Sequence, residues 1–157
     1  MTGTTRRLGR TTVLVAIGAT AALALAGTAM AEGGGDNGLV DGTPCTYTAR
    51  ACVDLATNTA WLIHDGSVTR GPVGISHGGQ GEETPTGLFH VQWKDQNHKS
   101  AEFNNAPMPF SVFFADGGIA FHQGNPKSLS AGCVHLAHDD AVAWFADLEV
   151  GDQVQIH

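Results

Sequence analysis

The chain has 157 residues, eight basic and fifteen acidic side chains, a formal net charge of −7 at pH 7 and three cysteines. This balance offers no basic footprint for nucleic acid, and the length suits one domain with a core of its own. Glu82-Glu83 and Asp139-Asp140 are the only adjacent acid pairs, so the acids read as a solvated surface and not as an interaction tail.

Residues 1–31 have the order of a secretion signal. Arg6, Arg7 and Arg10 precede an apolar run from about Val13 to Ala26, and Ala29-Met30-Ala31 supplies a small-x-small cleavage pattern. The run is short and alanine-rich for a membrane span, although a retained anchor is the competing reading. Export across the cytoplasmic membrane is therefore expected. Cleavage removes three arginines and no acid, leaving 126 residues with a net charge of −10.

Residues 32–49 read as a Gly-rich linker, "EGGGDNG" onward, running into the start of a disulfide loop. Cys45 and Cys52 flank "TYTARA", and in an oxidising compartment this spacing predicts a disulfide between them. Residues 50–157 then form the folded domain. Short β-like runs "ACVDLA", "TAWLIH" and "SVTRGPVGIS", broken at Thr57-Asn58 and Asp65-Gly66, predict an antiparallel meander. "TPTG", Thr84 to Gly87, opens the next strand, "GLFHVQW". Lys94 to Pro107 has no clean period and reads as a long loop, a candidate lid. "FSVFFA" and "GIAFHQG" continue as strands. "HDDAVAWFADL" spaces Ala141, Trp144, Phe145 and Leu148 as one helix of about three turns, with Asp139 and Asp140 in its first turn, and "QVQIH" closes the chain as a strand. No internal repeat is present.

Pairing Cys45 with Cys52 leaves Cys133 free. In an exported protein such a thiol is either used or buried as an inert apolar residue, and composition does not choose between them. A working cysteine needs a base within reach and donors for the oxyanion that follows. His122, at the end of "GIAFHQG", precedes Cys133 by one loop. Gly132 permits a tight turn in which successive N–H groups converge, and His135 stands two residues beyond the cysteine.

"SAGCVHL", Ser130 to Leu136, resembles the serine-x-glycine-cysteine signature of the L,D-transpeptidase catalytic domain, the YkuD-like family. "TPTGLFHV", "MPFSVFFADGGIAFHQG" and "LEVGDQVQI" resemble further segments in the family's order, so the likeness covers Ala51 to Ile156. It implies a mostly β fold: an antiparallel β-sandwich with one packed α-helix. It also implies Cys133 as nucleophile, His122 as general base oriented by a carbonyl near Gln123 or Gly124, and the N–H groups of Ala131, Gly132 and Cys133 as the oxyanion hole. Ser130, Phe121, Gln123 and His135 are the expected substrate contacts; many relatives carry arginine at the position of His135 and a longer loop before the cysteine. The implied activity is acyl transfer on peptidoglycan stem peptides in the cell-wall space. It would cross-link diaminopimelate residues with release of D-alanine, with carbapenem-type inhibitors as covalent ligands. The same site with water as acceptor would be an L,D-carboxypeptidase, and a non-catalytic wall-binding module is the third reading. No cofactor and no metal are expected, since His135 and His138 lack a further ligand pair, and the domain is expected to be a monomer.

Overall fold

A computed structural model describes residues 1–3 and 38–157. The expected secretion signal, from residue 4 on, and the first part of the expected linker lie outside the described residues. In chain order the elements are β1 (Ala51–Asp54), β2 (Thr59–His64), β3 (Ser67–Gly74), β4 (Gly87–His90), β5 (Trp93–Ser100), β6 (Ala106–Ala115), β7 (Ile119–Gln123), β8 (Val134–Leu136), α1 (His138–Asp147) and β9 (Gln153–Ile156). They form a five-stranded sheet in the order β3-β2-β1-β9-β4 and a four-stranded sheet in the order β5-β6-β7-β8.

The predicted meander is present, with β1–β2 and β2–β3 antiparallel. Asn58, Asp65 and Gly66 take the positive φ values that its tight turns need. Both sheets are nevertheless mixed. β9 runs parallel to β1 and β8 parallel to β7, each reached by a crossover that a chain of hairpins would not require.

Inner faces of the two sheets share one core. Ala51, Val53, Leu62, Val154 and Ile156 of the first sheet pack in one cluster with Val112, Phe114, Phe121, Val134 and Leu136 of the second. α1 supplies Ala141 and Trp144 to that cluster, and Leu148 caps it beyond the helix end. Arg70 of β3 clamps the first turn of α1 through Asp140 at 2.7 Å.

Two expectations from sequence are corrected. Residues 38–49 are not a linker: Val40, Cys45 and Ala49 are buried with Cys52, Trp61 and Ile63 on the outer face of β1 and β2. Alternation along those strands sends Val53 and Leu62 inward and Cys52, Trp61 and Ile63 outward, so both faces need cover. The Cys45–Cys52 disulfide fastens that cover to β1. Lys94 to Pro107 is not a long loop either. β5 and β6 pair from Trp93↔Phe113 to Ser100↔Ala106, leaving only residues 101–105 as the turn.

Candidate active site

The parallel pairing of β7 and β8 creates the site. Phe121 lies opposite Val134 and His122 opposite His135. Because side chains alternate, Phe121, Val134 and Leu136 enter the core while His122, Cys133 and His135 emerge on the other face. There they line a cleft of about 290 Å³ with Gln123, Gly124, Ser130 and Ala131. The opposite wall comes from the β5–β6 hairpin: Ser100, Phe103, Ala106, Pro107 and Met108. Cys133 rests on Met108, Phe113 and Ala120.

His122 is held in one orientation. Its Nδ1 lies 2.8 Å from the Gln123 carbonyl, which can only accept, so Nδ1 carries the proton and Nε2 keeps its lone pair. The predicted orienting carbonyl is therefore that of Gln123. Burial, with 7% of the residue exposed, pushes the imidazole down to about 4, partly offset by the Gln123 hydrogen bond and helped by the charges of His135 and His98. Burial also raises the Cys133 thiol above its ordinary range, with a hydrogen bond from the Ala120 backbone N–H to the sulfur opposing the shift and Glu102 adding to it. The resting pair is thus thiol plus neutral imidazole. Its S–H points at the Gly118 carbonyl, 3.6 Å away.

The turn that presents Cys133 is built around Gly132, whose φ is +106°. A Cβ there would meet Ile119 Cδ1 at 2.5 Å, so glycine is required by conformation and by space. Ser130 Oγ accepts from the Gly132 N–H at 3.1 Å and donates to the Cys133 carbonyl at 2.5 Å. One sequence expectation changes here. The Gly132 N–H is occupied, leaving the N–H groups of Ala131 and Cys133 without an acceptor among the described residues. The Ser130 hydroxyl, on the cleft wall, staples the turn through both of these hydrogen bonds.

The other expected contacts divide. Phe121 is fully buried against Phe114 and Trp144 and touches no ligand space, which corrects its assignment as a substrate residue. Gln123 lines the cleft, but its side chain is held by His138 at 2.9 Å. His135 also lines it, with its ring edge-on to His122 at 4.8 Å. Its Nδ1 lies 3.1 Å from the Ser128 carbonyl and 3.2 Å from Ser76 Oγ, leaving Nε2 as the nitrogen open to a ligand. Gly124 makes room for that ring, since a Cβ would stand 2.6 Å from it.

Two supporting residues escaped the sequence reading. Thr84, only 3% exposed, donates to the Gly132 carbonyl at 2.7 Å and accepts from the Gly78 N–H at 3.0 Å. Its place in "TPTG" was the available signal. Ser76, equally buried, bonds the Asn125 and Ser128 carbonyls and so ties the loop between His122 and Cys133 to the segment beside β8. Among the described residues no group of three or more His, Cys, Asp or Glu side chains is placed to hold a metal ion.

A family model described as the L,D-transpeptidase catalytic domain, YkuD, matches residues 48–156. The chain belongs to the L,D-transpeptidase catalytic-domain family. Solved L,D-transpeptidases share its fold. That from Stackebrandtia nassauensis is 28% identical with a TM-score of 0.63, over 68% of this chain and 54% of that one. The L,D-transpeptidase LdtMt1 in complex with imipenem is 21% identical with a TM-score of 0.61, over 67% and 56%. The Ldtfm-avibactam carbamoyl enzyme is 21% identical with a TM-score of 0.63, over 70% and 49%. The chain thus spans about half the length of these L,D-transpeptidase structures. No curated protein sequence matches it. Within the family's catalytic domain, the matched span contains His122, Cys133, Thr84 and every other residue of the cleft.

Proposed function

We propose that this domain is an L,D-transpeptidase acting on peptidoglycan stem peptides, with Cys133 as nucleophile and His122 as general base. The observation that carries the reading is the His122 imidazole, with Nδ1 anchored on Gln123 and Nε2 free in the same cleft as the only unpaired thiol among the described residues. Cys133 Sγ adds to the carbonyl carbon of diaminopimelate in a tetrapeptide stem while His122 Nε2 takes the thiol proton. The Ala131 and Cys133 N–H groups face the oxyanion. The bond to D-alanine breaks, its nitrogen recovers the proton from His122, and a thioester remains. A side-chain amine from a second stem attacks the thioester, forming the cross-link and regenerating the thiol.

Export to the cell-wall space belongs to this reading, supported by the signal-like residues 1–31 and by a disulfide on the domain. Carbapenem-type β-lactams are expected as covalent inhibitors, in line with the imipenem and avibactam complexes of its structural relatives. Incubation with disaccharide-tetrapeptides, followed by mass analysis, tests the reading. A dimer lacking one D-alanine is the expected product; tripeptide monomer alone would assign the water-accepting reaction, and unchanged substrate would refute the acyl-transfer reading.

A further inference from the structure

Away from the catalytic cleft, a separate cavity opens where the β4 edge of the first sheet meets the end of β6 in the second. Its volume is about 420 Å³, against about 290 Å³ for the cleft, and the two share no lining residue. That volume lies in the range of small-molecule sites. Pro85, Phe89 and His90 line it from the segment leading into and along β4, and Gln92 from just beyond that strand. Phe114 and Ala115 of β6 and Asp116 of the following turn complete it. Phe114 and Ala115 are buried and form the floor, with Phe89 edge-on to Phe114 at 5.8 Å. Phe89 and Pro85, both half-buried, are therefore the apolar surfaces left for a ligand. The rim is polar. Gln92 Nε2 donates to Asp116 Oδ1 at 3.3 Å, and His90 stands beside them. This contact uses one carboxylate oxygen and one amide hydrogen, so the other carboxylate oxygen, the amide oxygen and the second amide hydrogen stay open to a ligand. No lysine or arginine lines the cavity.

Such a rim suits neighbouring hydroxyls, because each hydroxyl donates once and also accepts, and so can meet an amide and a carboxylate together. An anionic group would instead face Asp116 with no cation to offset it. Half-buried Phe89 and Pro85 suit the C–H face of a pyranose ring, whose weakly positive hydrogens are drawn to the negative face of an aromatic ring. We propose that this cavity is a carbohydrate subsite for an uncharged N-acetylated pyranose, held by Gln92 and Asp116 against Phe89 and Pro85. The inference rests on the peptidoglycan reading above for the identity of the sugar, since the stem peptides hang from a glycan strand. Chain connectivity ties the subsite to the chemistry. Thr84, which donates to the Gly132 carbonyl, directly precedes Pro85, and Gly118, whose carbonyl faces the Cys133 sulfur at 3.6 Å, lies two residues beyond Asp116. The two segments that form the subsite are thus the ones that brace the cysteine turn.

N,N′-Diacetylchitobiose, a neutral disaccharide without a peptide, is the probe, titrated into the protein and followed by amide chemical shifts. Saturable shifts are expected at residues 85–92 and 114–116. Gln92→Ala and Asp116→Ala should each weaken the affinity about three- to ten-fold, the loss of one net hydrogen bond. Both side chains are exposed, so the variants keep the fold, and an unaltered rate of imipenem adduct formation verifies it. In turnover, a disaccharide-tetrapeptide should show a lower KM than the free tetrapeptide. Both variants should raise the KM of the disaccharide substrate alone and keep kcat, because the sugar contact is remote from the reacting bond. No saturable shift, shifts confined to the Cys133 cleft, or an affinity indifferent to both substitutions would overturn the assignment. Tighter binding of the deacetylated, doubly cationic dimer would overturn it too, making the cavity a cation site. Because binding is read without catalysis, the two readings separate. Protein that binds the disaccharide and never forms an acyl-enzyme would remove the acyl-transfer reading and leave the subsite standing; an active protein that ignores the disaccharide would do the reverse.

Discussion

His122 decides how the site responds to pH. Its imidazole titrates at about 4 instead of 6.5, because a residue buried against β8 loses more hydration on protonation than the Gln123 carbonyl returns. The base is therefore unprotonated through the whole neutral and mildly acidic range. Acylation of Cys133 should hold its rate as pH falls through 6.5 and decline only towards 4; stopped-flow measurement with a chromogenic β-lactam reads this directly. An acid limb centred near 6.5 would mean that the working histidine is a solvated one. The same shift affects stability. With the folded value below the unfolded one, protons bind the unfolded chain first. Stability present above pH 6.5 is thus lost between 6.5 and about 4, by roughly 3 kcal/mol at most for this group. Urea midpoints across that window should flatten in His122→Gln relative to the unaltered protein.

Among the elements, the cysteine turn depends on what braces it from behind. Thr84 bridges the Gly132 carbonyl and the Gly78 N–H in a fully enclosed position, so Thr84→Val keeps the volume and strands both partners. About 2–3 kcal/mol of stability should be lost, and kcat should fall more than KM, since the nucleophile is displaced while the cleft walls remain. Chemical unfolding and steady-state kinetics check the two halves of this expectation. Much of the element pattern was legible from sequence: the meander, the helix, the closing strand, and the placement of His122 and Cys133 at the two sides of one loop. Phe121 was misassigned although the needed rule was available, for strand alternation puts it on the opposite face from His122. β5 was not legible, because a ribbon with solvent on most of its surface has no apolar period to read. Its neighbours compensate: Lys94 reaches the Leu148 carbonyl at 2.5 Å and lies over the Phe145 ring at 4.9 Å, joining the hairpin to the end of α1. Residues 38–49 were hidden for a different reason. Their few apolar groups become a cover only once a disulfide and β1–β2 supply the opposite surface.

Across the whole molecule, stability and chemistry occupy opposite outer faces of the sandwich. Cys45, Cys52 and their apolar neighbours cover the outside of the first sheet, while Cys133 and His122 stand on the outside of the second. Closing seven residues of sequence separation contributes about 2.5 kcal/mol by the chain-entropy model. Cys45→Ala/Cys52→Ala should therefore lower Tm by about 10 °C and leave the Cys133 alkylation rate in the folded protein unchanged. Differential scanning calorimetry and thiol titration separate these effects. A matched loss of thiol reactivity below the melting transition would show that the two faces are coupled.

The central claim, that Cys133 is the nucleophile and His122 its base, is tested most directly by intact-mass analysis of the protein after exposure to a carbapenem. The account predicts one covalent adduct on the unaltered chain and none on Cys133→Ala. His122→Ala should form the adduct 10²–10⁴-fold more slowly at neutral pH, with partial recovery at high pH where the thiol ionises without help. An adduct that persists in Cys133→Ala, or one that forms on His122→Ala at the unaltered rate at neutral pH, would contradict it.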